Sequence, residues 1–198
     1  METHMDSTTV ALWMSAIKDV VRRVSAHRFL QHSQQSVTVH DLPPDAGPVF
    51  GHWMSIILLA GQGIRFTFKV HYQTKEVMTL AKSIISATDH TEELSKAADF
   101  MREYCNLLAG SLKASLLEKE VDLGISLPIV IRGFDDVFSE KKRSSAEYFH
   151  DSWALQAESG KVICVLSVNV YANQLLDRLA KVTFNETTQD EASDMEFL

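Results

Sequence analysis

The sequence predicts an α+β domain in which helices cover a mainly antiparallel sheet. Apolar residues recur at helical spacing near the N-terminus and again over a long central segment. Two pairs of apolar or alternating segments are joined by glycine-containing turns, as is typical of β-hairpins. The 198 residues are 45% hydrophobic and 23% charged, which is ordinary for a globular domain that buries a core.

The first part of the chain predicts a helix followed by a hairpin. Residues 8–30 carry apolar positions three and four residues apart, and residues 36–41 suit a short strand. Residues 42–48 include three prolines, which neither a helix nor a central strand tolerates, so we expect a loop. Residues 49–59 and 64–72 predict the two strands of the hairpin, and the second strand buries one face. Lys69 and His71 fall on its other face, and we expect His71 at the surface or a sheet edge.

The second part of the chain predicts three more helices and three more strands of the sheet. They are helices over residues 74–85, 91–119 and 172–181, a strand over 125–131, and a hairpin over 152–156 and 161–171. Thr91 is a candidate cap for the long helix. Pro128 places its strand at an edge, a bulge or a strand entrance, because proline cannot donate a ladder hydrogen bond.

Length and charge indicate one domain and narrow the classes of partner. We expect flexible residues 1–7, a domain over residues 8–182, and an acidic, disordered tail over residues 183–198. The net charge of −7 argues against nucleic acid and anionic membranes as partners. No signal peptide or membrane-spanning run is visible, which predicts a cytoplasmic protein whose Cys105 and Cys164 are free buried thiols.

One stripe of the long helix carries the residues with the clearest chemical potential. Asp99, Glu103, Asn106, Gly110 and Lys113 share one helical face, within an arc of about 80°. The opposite face carries the apolar residues Ala97, Met101, Tyr104, Leu108 and Leu112. The helix therefore presents a carboxylate and a carboxamide one turn apart, followed by a small residue.

By composition alone, such residues are the ordinary solvated face of a surface helix. Two of them nevertheless weaken the helix, since Asn106 is a poor interior residue and Gly110 costs about 1 kcal/mol relative to alanine. Two such departures on one face indicate a function. The sequence lacks a glycine-rich phosphate loop and a nucleophile elbow, and its histidines lack metal-ligand spacing, so we expect no metal site.

The spacing Asp99-x-x-x-Glu103-x-x-Asn106, followed by Pro128 within Ile-Ser-Leu-Pro-Ile-Val-Ile, resembles the CheC/CheX/FliY chemotaxis phosphatases. The run that follows Asn106, Leu-Leu-Ala-Gly-Ser-Leu-Lys, is particularly similar to the CheX branch. The resemblance covers roughly residues 8–172 and implies a CheC/CheX-like single domain.

CheC-type chains carry a second copy of the motif on a related helix. In this chain the first helix aligns Ser15, Asp19 and Arg22 with the acidic, glutamate and asparagine positions. Because Arg22 is not a carboxamide, this helix is not a second site. One intact site per chain is the CheX arrangement.

The resemblance implies hydrolysis of the aspartyl phosphate on a CheY-like response regulator in chemotaxis or another two-component pathway. Asn106 would position the attacking water, and Glu103 would pair with the phosphate-site lysine of the regulator. Asp99, Gly110 and Lys113 would contact the regulator. The regulator would supply Mg²⁺, so this chain would bind no cofactor, and a homodimer joined through its sheets is implied.

Two other classes of function stay open at this point. The domain could be a non-catalytic binding or dimerisation module that keeps the same surface, with the charged segment 139–145 and the acidic tail serving its partners. A small-molecule sensor with a pocket between helix and sheet is a further alternative, although no convergent polar residues indicate one. The decay of a phosphorylated regulator, with and without the protein, separates a phosphatase from a binding module.

Overall fold

The structure, a computed structural model, describes residues 7–42, 51–134 and 147–185. In this part of the chain a layer of helices packs on one sheet, which confirms the predicted α+β class. The helices are α1 (Ser7–Ser33), α2 (Thr74–Leu80), α3 (His90–Leu117) and α4 (Leu176–Leu179). The strands are β1 (Thr38–Asp41), β2 (Trp53–Gly61), β3 (Ile64–Tyr72), β4 (Gly124–Ile125), β5 (Ile129–Arg132), β6 (Glu147–Ala157) and β7 (Gly160–Val170).

The described strands form a sheet in the order β1-β6-β7-β3-β2-β4, and β5 also pairs with β2. Every pairing is antiparallel, and both predicted hairpins are present. The first hairpin turns at Gln62 and Gly63, where Gly63 has a φ of 84°. A Cβ on Gly63 would lie 2.4 Å from the Cβ of Ala172, so both the backbone angle and the contact require glycine here.

The core lies between the sheet and the two long helices, α1 and α3. Tyr104 of α3 donates its hydroxyl hydrogen to the backbone carbonyl of Ser25 on α1, at 3.0 Å. Trp153 of β6 donates its indole N–H to the Ser25 hydroxyl, also at 3.0 Å. All three residues are fully buried, so these bonds satisfy polar groups that would otherwise be costly. They fix α3 relative to α1 and to the sheet.

Pro128 stands at the entrance of β5 on the edge of the sheet, as predicted, but the strand predicted over residues 125–131 is divided into two short strands with a break at residues 126–128. Pro128 has no N–H to donate to a neighbouring strand. Within the break, Ser126 keeps the chain attached to β2. The Ser126 backbone N–H donates to the Leu58 carbonyl at 2.9 Å, and its hydroxyl accepts from the Leu58 N–H at 3.0 Å. Pro128 therefore lies in the break between β4 and β5 and directly precedes β5.

Several element ends also differ from the prediction. Helix α2 ends at Leu80, since Ala81 leaves the helical dihedral angles and the chain turns to pack Ile85 on the core. The final helix is a 3₁₀ turn followed by α4, and α1 continues to Ser33. Asp89, rather than Thr91, caps α3, because its side chain accepts the backbone N–H of Glu92.

Strand β3 does not have a single buried face. Lys69 and His71, predicted to be on the outer face, are only 5% and 2% exposed. Strand β3 lies at the centre of the sheet between β2 and β7, so neighbouring side chains also cover its outer face. The prediction that His71 lies at the surface or a sheet edge is therefore wrong.

Both cysteines are free and buried, as predicted. Burial raises the pKa of the Cys105 thiol to about 12 and also raises the pKa of Cys164. Residues 1–6, most of the predicted loop over 42–48, the charged segment 139–145 and residues 186–198 of the predicted tail lie outside the described residues. Before that point Phe184 packs on α1, with its ring 5.5 Å from that of His27.

Candidate functional site

Helix α3 is the rigid element that carries the candidate site. Its buried face contains Met101, Tyr104 and Leu108, as the sequence predicts. Its first turn is held by the Asp89 cap, whose carboxylate accepts the Glu92 N–H at 2.9 Å. Because the helix is anchored on the core along its length, its exposed side chains project from a fixed backbone.

The exposed face brings together the five residues that the sequence singles out. Asp99, Glu103, Asn106 and Gly110 are exposed, and Lys113 is half-buried. The Asn106 side-chain nitrogen donates to a carboxylate oxygen of Glu103, with 3.4 Å between Nδ2 and Oε2. This bond turns the amide N–H toward Glu103. Within the described part of the chain, the Asn106 carbonyl oxygen is left to accept from a water or a partner.

Two flanking charges of this face make ion pairs within the chain. Arg102 donates to Asp99 Oδ1 at 2.5 Å, and Lys113 lies 4.0 Å from Asp122. Both pairs are largely solvated, and exposed pairs contribute about 0–1 kcal/mol. A charged partner can therefore replace either contact at small cost.

Gly110 leaves open space on the same face. A Cβ at this position would meet no atom within 4 Å, so the fold itself does not require glycine there. Glycine in the middle of a helix is destabilising by about 0.5–1 kcal/mol relative to alanine. Gly110 therefore lowers the stability of the helix although no neighbouring atom requires a glycine, and it leaves the backbone of α3 accessible.

Arg22 of α1, which the family resemblance aligns with Asn106, makes contacts within the fold instead of facing solvent. Arg22 Nε and Nη2 donate to the two carboxylate oxygens of Asp151, at 2.7 and 2.9 Å. Arg22 also contacts Asp41, and its guanidinium lies 5.5 Å from the centre of the Trp153 ring. The arginine thus links α1 to β1 and β6. Arg22 therefore has a structural role in the described part of the chain.

A pocket of about 410 Å³ adjoins the N-terminal side of Glu103, and the sequence analysis did not predict it. It lies between α1, the segment that follows α2, and α3. His32 of α1 lines it, with its ring stacked on Phe100 at 4.0 Å between centroids. No sequence signal identifies this contact, because His32 and Phe100 are far apart in the chain and meet only through packing of α1 on α3.

Burial has a clear electrostatic effect on this histidine. It lowers the pKa of His32, and this effect outweighs the hydrogen bond to the Phe100 carbonyl and the nearby charge of Glu103. His32 Nε2 lies 3.0 Å from that carbonyl oxygen and donates its hydrogen to it. The neutral ring is therefore the favoured form.

Neither a cluster of metal-binding side chains nor a helix suited to span a membrane occurs among residues 7–42, 51–134 and 147–185. No cluster of three or more histidine, cysteine, aspartate or glutamate side chains in these ranges is arranged to hold a metal ion. None of the described helices combines the length and apolar character that crossing a membrane requires.

Comparison with known families gives a match that spans the candidate site. The family model described as "Chemotaxis phosphatase CheX" matches residues 54–149, which include Glu103 and Asn106. No curated protein matches the chain. The resemblance to the CheC/CheX/FliY family predicted from the sequence is confirmed.

Solved structures share the fold at low sequence identity. CheX from Borrelia burgdorferi, in a complex with CheY, BeF₃ and Mg²⁺, is 17% identical, with a TM-score of 0.57 over 77% of this chain and 96% of that chain. CheX from Vibrio vulnificus is 14% identical, with a TM-score of 0.55 over 76% and 95%. The FliM middle domain from H. pylori is 8% identical, with a TM-score of 0.54 over 88% and 99%. At these identities the likenesses show the fold alone.

Proposed function

Because this chain is a relative of the CheC/CheX/FliY chemotaxis phosphatases, we propose that it hydrolyses the aspartyl phosphate of a CheY-like response regulator. The observation that carries the proposal is the exposed Glu103–Asn106 pair on one fixed face of α3. The pair lies inside the segment that matches the chemotaxis phosphatase family. The complex of the Borrelia relative with CheY supports a receiver domain as the partner.

The proposed role of Asn106 is to place the attacking water. The water oxygen forms a bond to phosphorus while the bond from phosphorus to the aspartyl oxygen breaks, which yields a free carboxylate and dihydrogen phosphate. The Asn106 carbonyl oxygen accepts one hydrogen of this water and so holds it in line with the breaking bond. A neutral amide does this without repelling the phosphoryl oxygens, and an exposed residue can reach into the partner.

The proposed role of Glu103 is to bind and orient the regulator. Its carboxylate would pair with the phosphate-site lysine of the receiver domain, because a charge-assisted hydrogen bond gives both attraction and direction. We do not assign it as a general base, since a carboxylate close to the phosphoryl group would be repelled. The regulator would hold the Mg²⁺ ion, and this chain would act through its side chains.

The other residues of the stripe would shape the docking surface. Asp99 and Lys113 would exchange their solvated ion pairs within the chain for contacts with the regulator. Gly110 would allow the regulator backbone to approach α3, because the space above it is open. This role explains why a helix would retain a destabilising glycine at an exposed position.

We also propose that the chain forms a homodimer through its sheet. The outer strands of the described sheet are β1 and the β4–β5 pair. All four residues of β1 are exposed, and Leu127 and Ile129 at the opposite edge are 87% and 55% exposed. Edge strands with exposed backbone and apolar side chains are prone to pair. Sedimentation analysis should give twice the monomer mass, and a monomer at micromolar concentration would contradict the proposal.

A non-catalytic binding module is the second candidate, and the shared fold of a FliM middle domain supports it. The discriminating experiment follows the loss of radiolabel from phosphorylated CheY-like receiver domains. A substoichiometric amount of the chain should accelerate the loss over several turnovers. Binding without acceleration would instead support the binding module.

A further inference from the structure

Two stacked rings, those of His32 and Phe100, line the pocket beside Glu103. The His32 and Phe100 rings stack with an interplanar angle of 26° and a centroid separation of 4.0 Å. The hydrogen bond from His32 Nε2 to the Phe100 carbonyl holds the ring in this position. Because Phe100 is only 4% exposed, the two rings form a fixed, closely packed wall of the pocket.

The rim of the pocket contains an apolar side chain that the fold leaves in water. Ile84 is 45% exposed, whereas its neighbour Ile85 packs on the core. Both residues lie in the connection between α2 and α3, and both line the pocket. The exposed apolar surface at the pocket thus comes from Ile84, and its burial by a partner would be favourable.

The charges around the pocket differ in how they are neutralised. Lys96 is paired with Glu92 at 2.6 Å and also donates to the Ser86 carbonyl. Asp99 is paired with Arg102. The hydrogen-bond partner of Glu103 is the neutral amide of Asn106. Among the described residues that line the pocket, Glu103 is thus the carboxylate placed to attract a cationic group from a partner.

The pocket and the Glu103–Asn106 pair form one continuous surface. Glu103 belongs to both. Phe100 and Asn106 lie three residues to either side of it, which is about 4.5 Å along the helix axis in each direction. A standard protein interface covers about 800 Å² on each partner, so a receiver domain seated on Glu103 and Asn106 also covers the pocket mouth.

We propose that this pocket is a second anchoring subsite for the response regulator, which packs one apolar side chain against Ile84. Glu103, which lines the same pocket, pairs with the phosphate-site lysine of the regulator, so the two contacts are adjacent. The inference rests on the proposed phosphatase function. It assigns to Ile84 a part in selecting the regulator, because receiver domains that differ at the position packed against Ile84 differ in the apolar surface that they bury.

The test measures kcat and KM for dephosphorylation of receiver domains that are phosphorylated with acetyl phosphate. Ile84→Ala should raise KM by about tenfold, since it removes most of one apolar contact, while kcat stays unchanged. Ile84→Asp should raise KM further, and Ile84→Met should restore most of the affinity. Leu12→Asp is the matched control, because Leu12 is 56% exposed on α1 and does not line the pocket, so KM should not change.

Binding of the same receiver domains, activated with BeF₃ and Mg²⁺, separates this inference from the proposed function. If the wild-type chain binds in an Ile84-dependent way but does not accelerate phosphate loss, the pocket is supported and the phosphatase assignment is wrong. If the wild-type chain accelerates phosphate loss and Ile84→Asp leaves KM and Kd unchanged, the pocket assignment is overturned. Absence of both binding and acceleration with every CheY-like receiver tested contradicts both.

Discussion

The guanidinium of Arg22 donates two hydrogen bonds to the carboxylate of Asp151, and it does so at the α1 position that aligns with Asn106 of α3. The side chains of this pair are only 14% and 11% exposed. Helix α3 exposes the carboxamide of Asn106, whereas α1 uses an arginine to bind the sheet.

This difference predicts that Arg22→Ala lowers stability and leaves activity intact. Removal of one member of a largely buried pair leaves an uncompensated charge, and because this pair is partly solvated we expect a loss of about 1–3 kcal/mol in the free energy of unfolding. Urea denaturation measures the loss, and the phosphate-release assay should show an unchanged rate per folded molecule. A selective loss of activity in the folded variant would indicate that α1 also contacts the regulator.

Asn106→Ala should reduce stimulated dephosphorylation by about 100-fold, because the water loses its positioning group. The fold should persist, since Asn106 is exposed and makes one long hydrogen bond. Circular dichroism and single-turnover loss of radiolabel measure the two effects. Asn173→Ala, at an exposed asparagine in the 3₁₀ turn, is the matched control and should behave as wild type. An active Asn106→Ala protein would overturn the assignment of the site.

Glu103→Gln should act mainly on regulator binding. The substitution keeps the shape and removes the charge that would pair with a cationic group of the receiver domain. Calorimetric titration should show weaker binding and a smaller dependence of Kd on salt. Glu118→Gln, at an exposed glutamate at the end of α3, should change neither quantity. If Kd and rate are both unaffected in Glu103→Gln, the orienting role is wrong.

Gly110→Ala should move stability and activity in opposite directions. Alanine at this open mid-helix position should raise the free energy of unfolding by about 0.5–1 kcal/mol. The added methyl group should also hinder the regulator backbone and raise KM. Ala114→Gly, at an exposed position one turn later, should lower stability and leave KM unchanged. A stabilised Gly110→Ala protein with normal KM would show that no partner approaches α3 at this point.

The pH dependence of stability should carry a contribution from His32. Its pKa in the folded protein is lowered by burial, so the unfolded chain binds the proton more readily between that lowered pKa and about 6.5. Stability should therefore rise with pH through this window. Urea denaturation of wild type and His32→Gln at several pH values should show the wild type losing more stability on acidification. Parallel pH profiles would mean that His32 does not titrate as described.

The sequence predicted the elements whose periodicity is long and regular. The stripe of α3 and the alternation along β3 and β7 led directly to the helix, the hairpins and the exposed Glu103–Asn106 pair. The prediction was incomplete where one residue decided the outcome locally: Pro128 stands at a strand entrance, as expected, but the strand is divided in two before it.

Features made by contacts between distant segments were not predictable in the same way. The stacking of His32 on Phe100 and the burial of His71 depend on which elements become neighbours. Neither residue is marked by its own sequence surroundings. The pocket beside Glu103 was missed for this reason, although each of its residues was visible in the sequence.

The two buried thiols have a practical consequence for studying the proposed encounter. A thiol reacts with maleimides as its thiolate, and neither Cys105 nor Cys164 is exposed or readily ionised at neutral pH. The two native cysteines should therefore not react with a thiol-specific label in the folded protein. A fluorophore or spin label attached through an Ala114→Cys substitution would label α3 alone and could follow arrival and departure of the regulator in real time.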